Sequence, residues 1–226
     1  MADFVCIGAH PDDVEIGMGG TVAALARAGS DVLIVDLTDG EPTPFGSHET
    51  RMAEAAASAK ALGCRRVTLG FENRYLVDDA EARTAVAEVL RVERPRVLFV
   101  PYPEDAHPDH LAASRIAEAA RFYAKLTKTR MRGEPHYPAR IYRYMAVHLR
   151  LVREPSFLAD ISGTLDVKLD ALRCYRSQFV DNVGNAGVFE QVERTARAYG
   201  DHARVHAAEP FFALETPVVR SVTDLV

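Results

Sequence analysis

The chain has 226 residues, 48% of them apolar and 26% charged, with a formal net charge of −5. That length can bury a sizeable core as one α/β domain over 1–226, and no apolar run is long enough for a membrane span. A negative balance gives no basis for a nucleic-acid partner. Cys6, Cys64 and Cys174 form no Cys-x-x-Cys pair and read as buried, reduced thiols.

The N-terminus enters a strand pattern directly, Phe4-Val5-Cys6-Ile7-Gly8, without the basic and apolar segments of a secretory signal, so the expected location is the cytoplasm. Gly17 to Gly20 then lead into a helix from Thr21 to Ala28 that stops at Gly29. Asp31 to Leu37 is a second strand, and Ser47 to Leu62 has helical spacing before Gly63. A short third strand at 66–69, a helix at 79–93 and a fourth strand at 96–100 follow. Pro108 stands at a first helical position, and the pattern from Leu111 to Tyr123 continues that helix.

Beyond residue 125 the pattern loosens. A polar loop covers 131–139, strands are expected at 140–149, 155–161 and 211–214, and helices at about 162–175 and 188–199. Alternating strands and helices predict a Rossmann-like three-layer α/β/α fold, a mostly parallel sheet with helices on both faces.

Two stretches carry the chemistry: Ala9-His10-Pro11-Asp12-Asp13 after the first strand and His107-Pro108-Asp109-His110 after the fourth. Open parallel sheets bind ligands beyond the carboxyl ends of their strands, so the two stretches should converge. Zinc takes imidazole and carboxylate ligands, with one position left for water in catalytic sites, and His10, Asp13 and His110 supply such a set. Iron and manganese suit the same ligand types.

Asp12 cannot easily reach the ion that Asp13 holds, because adjacent side chains on a turn diverge, so it is free to act as a base. His107 lies one helical turn before His110 and, protonated, can stabilise an oxyanion and help the amine leave. Asp109 is placed to orient an imidazole. Gly17-Met18-Gly19-Gly20 lacks dinucleotide-fingerprint spacing and reads as close backbone packing beside the metal.

AHPDDVEIGMGG at 9–20, LTDGE at 37–41 and PYPEDAHPDH at 101–110 resemble the LmbE/PIG-L-like zinc-dependent N-deacetylases. More narrowly they resemble the bacillithiol-biosynthesis subgroup, which removes acetyl from N-acetylglucosaminyl-malate, and the similarity extends through Ser177-Gln178-Phe179. The resemblance implies the same ligands, His10, Asp13 and His110, with Asp12 as general base, His107 on the oxyanion and Asp109 behind the histidines. It also implies a homo-oligomer, a hexamer in that subgroup, and a substrate contact from Arg51, which stands where the family has a sugar- or aglycone-binding arginine.

Between Arg121 and Arg153 stand nine Lys or Arg residues and one acid, Glu134. Arg140 and Arg143 are the candidates there for attracting an anionic substrate. Tyr142, Tyr144 and His148 alternate on the expected strand and are candidates for one wall of the site. The expected function is deacetylation of a small N-acetylglucosamine-type glycoside. The rivals are amidase action on a thiol conjugate, deacetylation of another N-acyl sugar, and a sugar- or nucleotide-binding module without catalysis.

Overall fold

A computed structural model describes residues 1–218; of the domain expected over 1–226, residues 219–226 lie outside the described residues. Strands and helices alternate as β1 (Phe4–Gly8), α1 (Asp13–Arg27), β2 (Val32–Thr38), α2 (His48–Leu62), β3 (Arg65–Phe71), α3 (Ala80–Glu93), β4 (Val97–Pro101) and α4 (Pro108–Ala124). There follow β5 (Arg140–Tyr144), β6 (Phe157–Asp160), α5 (Leu165–Arg173), α6 (Arg176–Phe179), α7 (Val188–Ala203) and β7 (Ala208–Ala213).

One seven-stranded sheet has the order β3-β2-β1-β4-β5-β7-β6. The strands from β3 to β5 in that order run parallel, and β7 runs antiparallel to both β5 and β6. The chain moves one way from β1 through β2 to β3, then restarts on the other side of β1 with β4 and β5. The boundary between β1 and β4 is therefore the switch point at which such sheets open a crevice.

Period-two alternation sends Val5 and Ile7 to one face and Cys6 to the other, and both faces are covered. Against the first pack Val86 and Leu90 of α3 with Ile116 and Ala120 of α4. Against the second pack Val14, Met18 and Val22 of α1 and Ala171 of α5. A further cluster joins Ala55 of α2 to Leu165, Leu169 and Leu172 of α5 and Val192 of α7. Burying each such aliphatic side chain contributes about 1.5–3 kcal/mol, which holds both helical layers on the sheet.

Capping fixes several helix starts. Ser47 accepts from the Thr50 amide at 3.2 Å and Asp79 from the Ala82 amide at 2.9 Å, while Pro108 occupies the first turn of α4. The first helix departs from expectation: it begins at Asp13, not Thr21, and runs through the glycines with a break at Met18 (φ −152°). A Cβ at Gly17 would overlap the Tyr144 ring, and one at Gly20 would lie 2.7 Å from Ile161. The glycines thus serve close packing on β5 and on the segment after β6.

The break frees backbone donors that Glu209 of β7 satisfies, accepting from the amides of Gly20 at 3.0 Å and Thr21 at 2.7 Å. Lys168 neutralises that buried carboxylate, its Nζ 2.5 Å from Oε1. The fifth strand is also shorter than expected, ending at Tyr144 rather than Leu149. Beyond it the amides of Val147 and His148 donate to the Asp105 carboxylate, at 3.0 and 3.3 Å, in place of a strand partner. Among the described residues no helix is long and apolar enough to cross a membrane.

Candidate metal centre and active site

His10, Asp12 and Asp13 sit on the turn leaving β1, and His107, Asp109 and His110 on the turn leaving β4, so adjacency of those strands brings the two motifs together. The Asp13 carboxylate accepts from the amides of Ala9 at 3.0 Å and His10 at 2.9 Å, which folds the turn around it. Its other oxygen lies 3.1 Å from His110 Nε2, and His10 Nδ1 lies 3.2 Å from that same nitrogen.

The opposite ring nitrogens are each held by a carboxylate. His10 Nε2 meets Asp109 Oδ2 at 3.2 Å, and His110 Nδ1 meets Asp105 Oδ2 at 2.8 Å. Carboxylates accept, so in the neutral rings those nitrogens carry the protons and the facing pair, with Asp13, presents three acceptors and no donor. A cation satisfies that arrangement, and the carboxylate behind each ring is the usual support of a histidine ligand. The donor set thus fits a divalent metal such as zinc.

Burial opposes a charged imidazole, yet the Asp109 and Asp13 carboxylates raise His10 to about 9. Burial is likewise overcome at His110, where Asp13 and Asp105 raise the ring to about 10. The cluster is built to hold positive charge.

His107 also approaches, and one ligand atom from each of His10, His107 and His110 lies within 4.8 Å of the others. Its Nδ1, however, accepts from the Asp109 amide at 3.1 Å as the N-cap of α4, which leaves Nε2 as the ring's donor. Burial, with the neighbouring His10 and His110, lowers His107 to about 4. His107 is therefore a neutral donor here, where the sequence reading has it protonated.

Asp12 takes a left-handed backbone conformation (φ 105°), uncommon outside glycine, at the N-cap of α1. Its carboxylate accepts from Arg51 Nη2 at 2.8 Å. Burial raises Asp12 to about 7 against the lowering pull of Arg51. Arg51 itself is only 3% exposed, donates also to Pro11 O at 2.6 Å, and has Nε and Nη1 without partners among the described residues. Gly40 (φ 74°) lets it in, since a Cβ there would lie 3.2 Å from Nη2. Arg51 thus lines the cleft while holding Asp12.

The cleft over these groups encloses about 270 Å³ and is also lined by Asn73, Arg74, His148, Gln178 and Asn185. His148 stacks on His107 with centroids 5.7 Å apart. The expectation for Arg140 and Tyr142 fails on position along the strand. Arg140 pairs with Val97 at the start of β4, about 13 Å of strand from the carboxyl end. Tyr142 packs its ring 6.0 Å from Phe99 and 5.0 Å from Phe157. Neither lines the cleft. Arg143 pairs with Glu118, Nη2 to Oε1 at 2.5 Å, and the Tyr144 hydroxyl donates to Ile7 O at 2.8 Å in the core.

Two further groups support the cluster from positions the sequence does not mark strongly. Asp105 holds His110 from within the quoted PYPEDAHPDH stretch, five residues before it, a spacing that is its only signal. The amide of Arg74, itself left-handed (φ 72°), donates to Asp109 at 2.6 Å from the loop after β3, and no pattern marks that loop in advance.

An α/β sheet with a His/Asp cluster at its switch point, an aspartate beside it and a small polar cleft is the arrangement of a hydrolase with a candidate metal site. The chain belongs to the PIG-L family, described as GlcNAc-PI de-N-acetylase, which matches residues 5–121. It is 32% identical over 211 residues to diacetylchitobiose deacetylase of Thermococcus kodakarensis, covering 86% of this chain and 76% of that one. It is 28% identical to 1D-myo-inositol 2-acetamido-2-deoxy-alpha-D-glucopyranoside deacetylase of Thermobispora bispora, over 98% of this chain and 86% of that one. Among solved structures, the conserved protein TT1542 of Thermus thermophilus superposes with a TM-score of 0.89 at 39% identity, covering 97% of each chain.

Proposed function

We infer that this chain is a zinc-dependent N-deacetylase of a small N-acetylglucosamine-type glycoside, with N-acetylglucosaminyl-malate, and so bacillithiol biosynthesis, as the preferred assignment. The observation that carries the reading is the convergence of His10, Asp13 and His110 within 3.5 Å, with Asp12 beside them on the same turn. Family membership supports deacetylation, and the two curated relatives named above are deacetylases of N-acetylated amino-sugar compounds by their names. The ligand set is His10, Asp13 and His110, and iron can replace zinc there.

When bound, the cation supplies a Lewis acid that polarises the acetyl carbonyl and makes water a stronger acid. Asp12, held by Arg51 and with its pKa raised by burial to about 7, takes the proton from the attacking water as a carboxylate and returns it to the departing amine. His107 donates from Nε2 to the carbonyl oxygen as it gains charge. Asp109 and Asp105 keep the two ligand rings in one tautomer. The reaction needs no covalent enzyme intermediate. The enzyme is cytoplasmic and a homo-oligomer, hexameric by the family resemblance.

The test is amine and acetate release from N-acetylglucosaminyl-malate and from diacetylchitobiose. Metal-dependent release from the first at the higher kcat/KM supports the assignment, a preference for the second moves it to chitobiose-type substrates, and no release from either leaves a binding module.

A further inference from the structure

Beside the cleft lies a second compartment of about 440 Å³, and Ile16, Val147, His148, Phe179 and Asn185 line both. Asn185, on a 3-10 turn at Val183–Asn185, donates to Gln178 O at 3.1 Å and so ties the junction to the wall of the first compartment. The far walls are Arg150, from the segment after β5, and Glu190, Gln191 and Arg194 of α7.

Resting on the deacetylase reading above, we propose that this second compartment seats the aglycone of the glycoside and that Arg150 and Arg194 select an acidic group on it. Among the described residues only one carboxylate, Glu190, lines the compartment beside two guanidinium groups. Arg150 spends one donor on Val147 O at 2.9 Å and forms no ion pair among the described residues. Arg194 meets Glu190 at 3.3 Å in an exposed pair one helical turn apart, which holds it weakly. The remaining donors are planar and paired, the geometry that carboxylates and phosphates accept in bidentate fashion. A neutral second sugar would leave that excess positive charge uncompensated.

In the first compartment Arg51 is held on Asp12, and the competing seat for an acid is Arg74, which donates to Pro42 O at 2.7 Å. The two seats are told apart by substitution. Steady-state kinetics of the metal-loaded enzyme are measured on N-acetylglucosaminyl-malate, N-acetylglucosamine 1-phosphate and the neutral methyl N-acetylglucosaminide, for wild type, Arg150→Gln, Arg194→Gln, the double variant and Arg74→Gln. Both arginines are exposed, so the variants keep the fold.

The double variant should raise KM for the acidic substrates by about 10–100-fold with kcat kept, and change the neutral glycoside less than about twofold. Comparison of the malate and phosphate arms shows which acid fits. A loss shared equally by acidic and neutral substrates, or a selective loss in Arg74→Gln alone, overturns the proposal. Calorimetric titration of glucosaminyl-malate into wild type and the double variant reads the compartment without turnover: equal affinities overturn the proposal even where turnover is intact. Weakened binding in an enzyme that releases no acetate would uphold the compartment and sink the deacetylase reading instead.

Discussion

His10 Nδ1 and His110 Nε2 face each other at 3.2 Å, one from the turn after β1 and the other from the first turn of α4, and each ring is backed by a carboxylate on its far side. The pair marks the candidate cation site, because two facing acceptors with Asp13 beside them favour a positive charge between them. The identity of the third ligand then decides the chemistry left to the neighbours.

Asp13 and His107 compete for that role, and substitution separates them. Asp13→Ala should lose the metal, since it also removes the acceptor that folds the Ala9–His10 turn. His107→Ala should keep the metal while kcat falls by about 10²–10³-fold through loss of the oxyanion donor. Metal content by atomic emission and kcat together check the assignment, and metal loss in His107→Ala would make that ring a ligand.

Asp105→Asn tests a residue the sequence did not single out. The change leaves a hydrogen-bonding group near His110 Nδ1 but removes its charge, and metal affinity should fall by about 10–100-fold. Competition with a chromogenic chelator measures it, with Asp109→Asn as the parallel case on His10. Unchanged affinity in both would remove the carboxylates from the account.

Arg66 pairs with Asp36 at 2.6 Å and with Glu15 at 2.5 Å, all three largely enclosed between β2, β3 and α1. Arg66→Met leaves two buried carboxylates without a counter-charge and should cost about 3–5 kcal/mol of stability. Urea unfolding checks this, with metal content per folded chain unchanged, because none of the three side chains lines the cleft. A loss below about 1 kcal/mol would mean that the site is wetter than its burial implies.

The turns that carry the two motifs were legible because each packs its ligand-type residues into four or five consecutive positions after an apolar strand, and parallel α/β order makes those turns neighbours. The support of His110 was less so. Asp105 also ties the amides of Val147 and His148, which depends on β5 lying beside β4 and ending at Tyr144. Alternation along 140–149 revealed which face a side chain takes but not how far along the strand it stands, so Arg140 and Tyr142 were misplaced. The glycines at 17–20 resembled a loop because their packing partners, Tyr144 and Ile161, come from more than a hundred residues later.

The most direct test of the central claim, metal-assisted deacetylation with Asp12 as the base, measures metal content and amine release in one series: wild type, chelated wild type, chelated enzyme reloaded with zinc, and Asp12→Ala. Release should vanish on chelation and return with zinc, and Asp12→Ala should hold wild-type zinc while turning over about 10²–10⁴-fold more slowly. Release that persists without metal, or an Asp12→Ala enzyme that holds zinc and works at the wild-type rate, would contradict it.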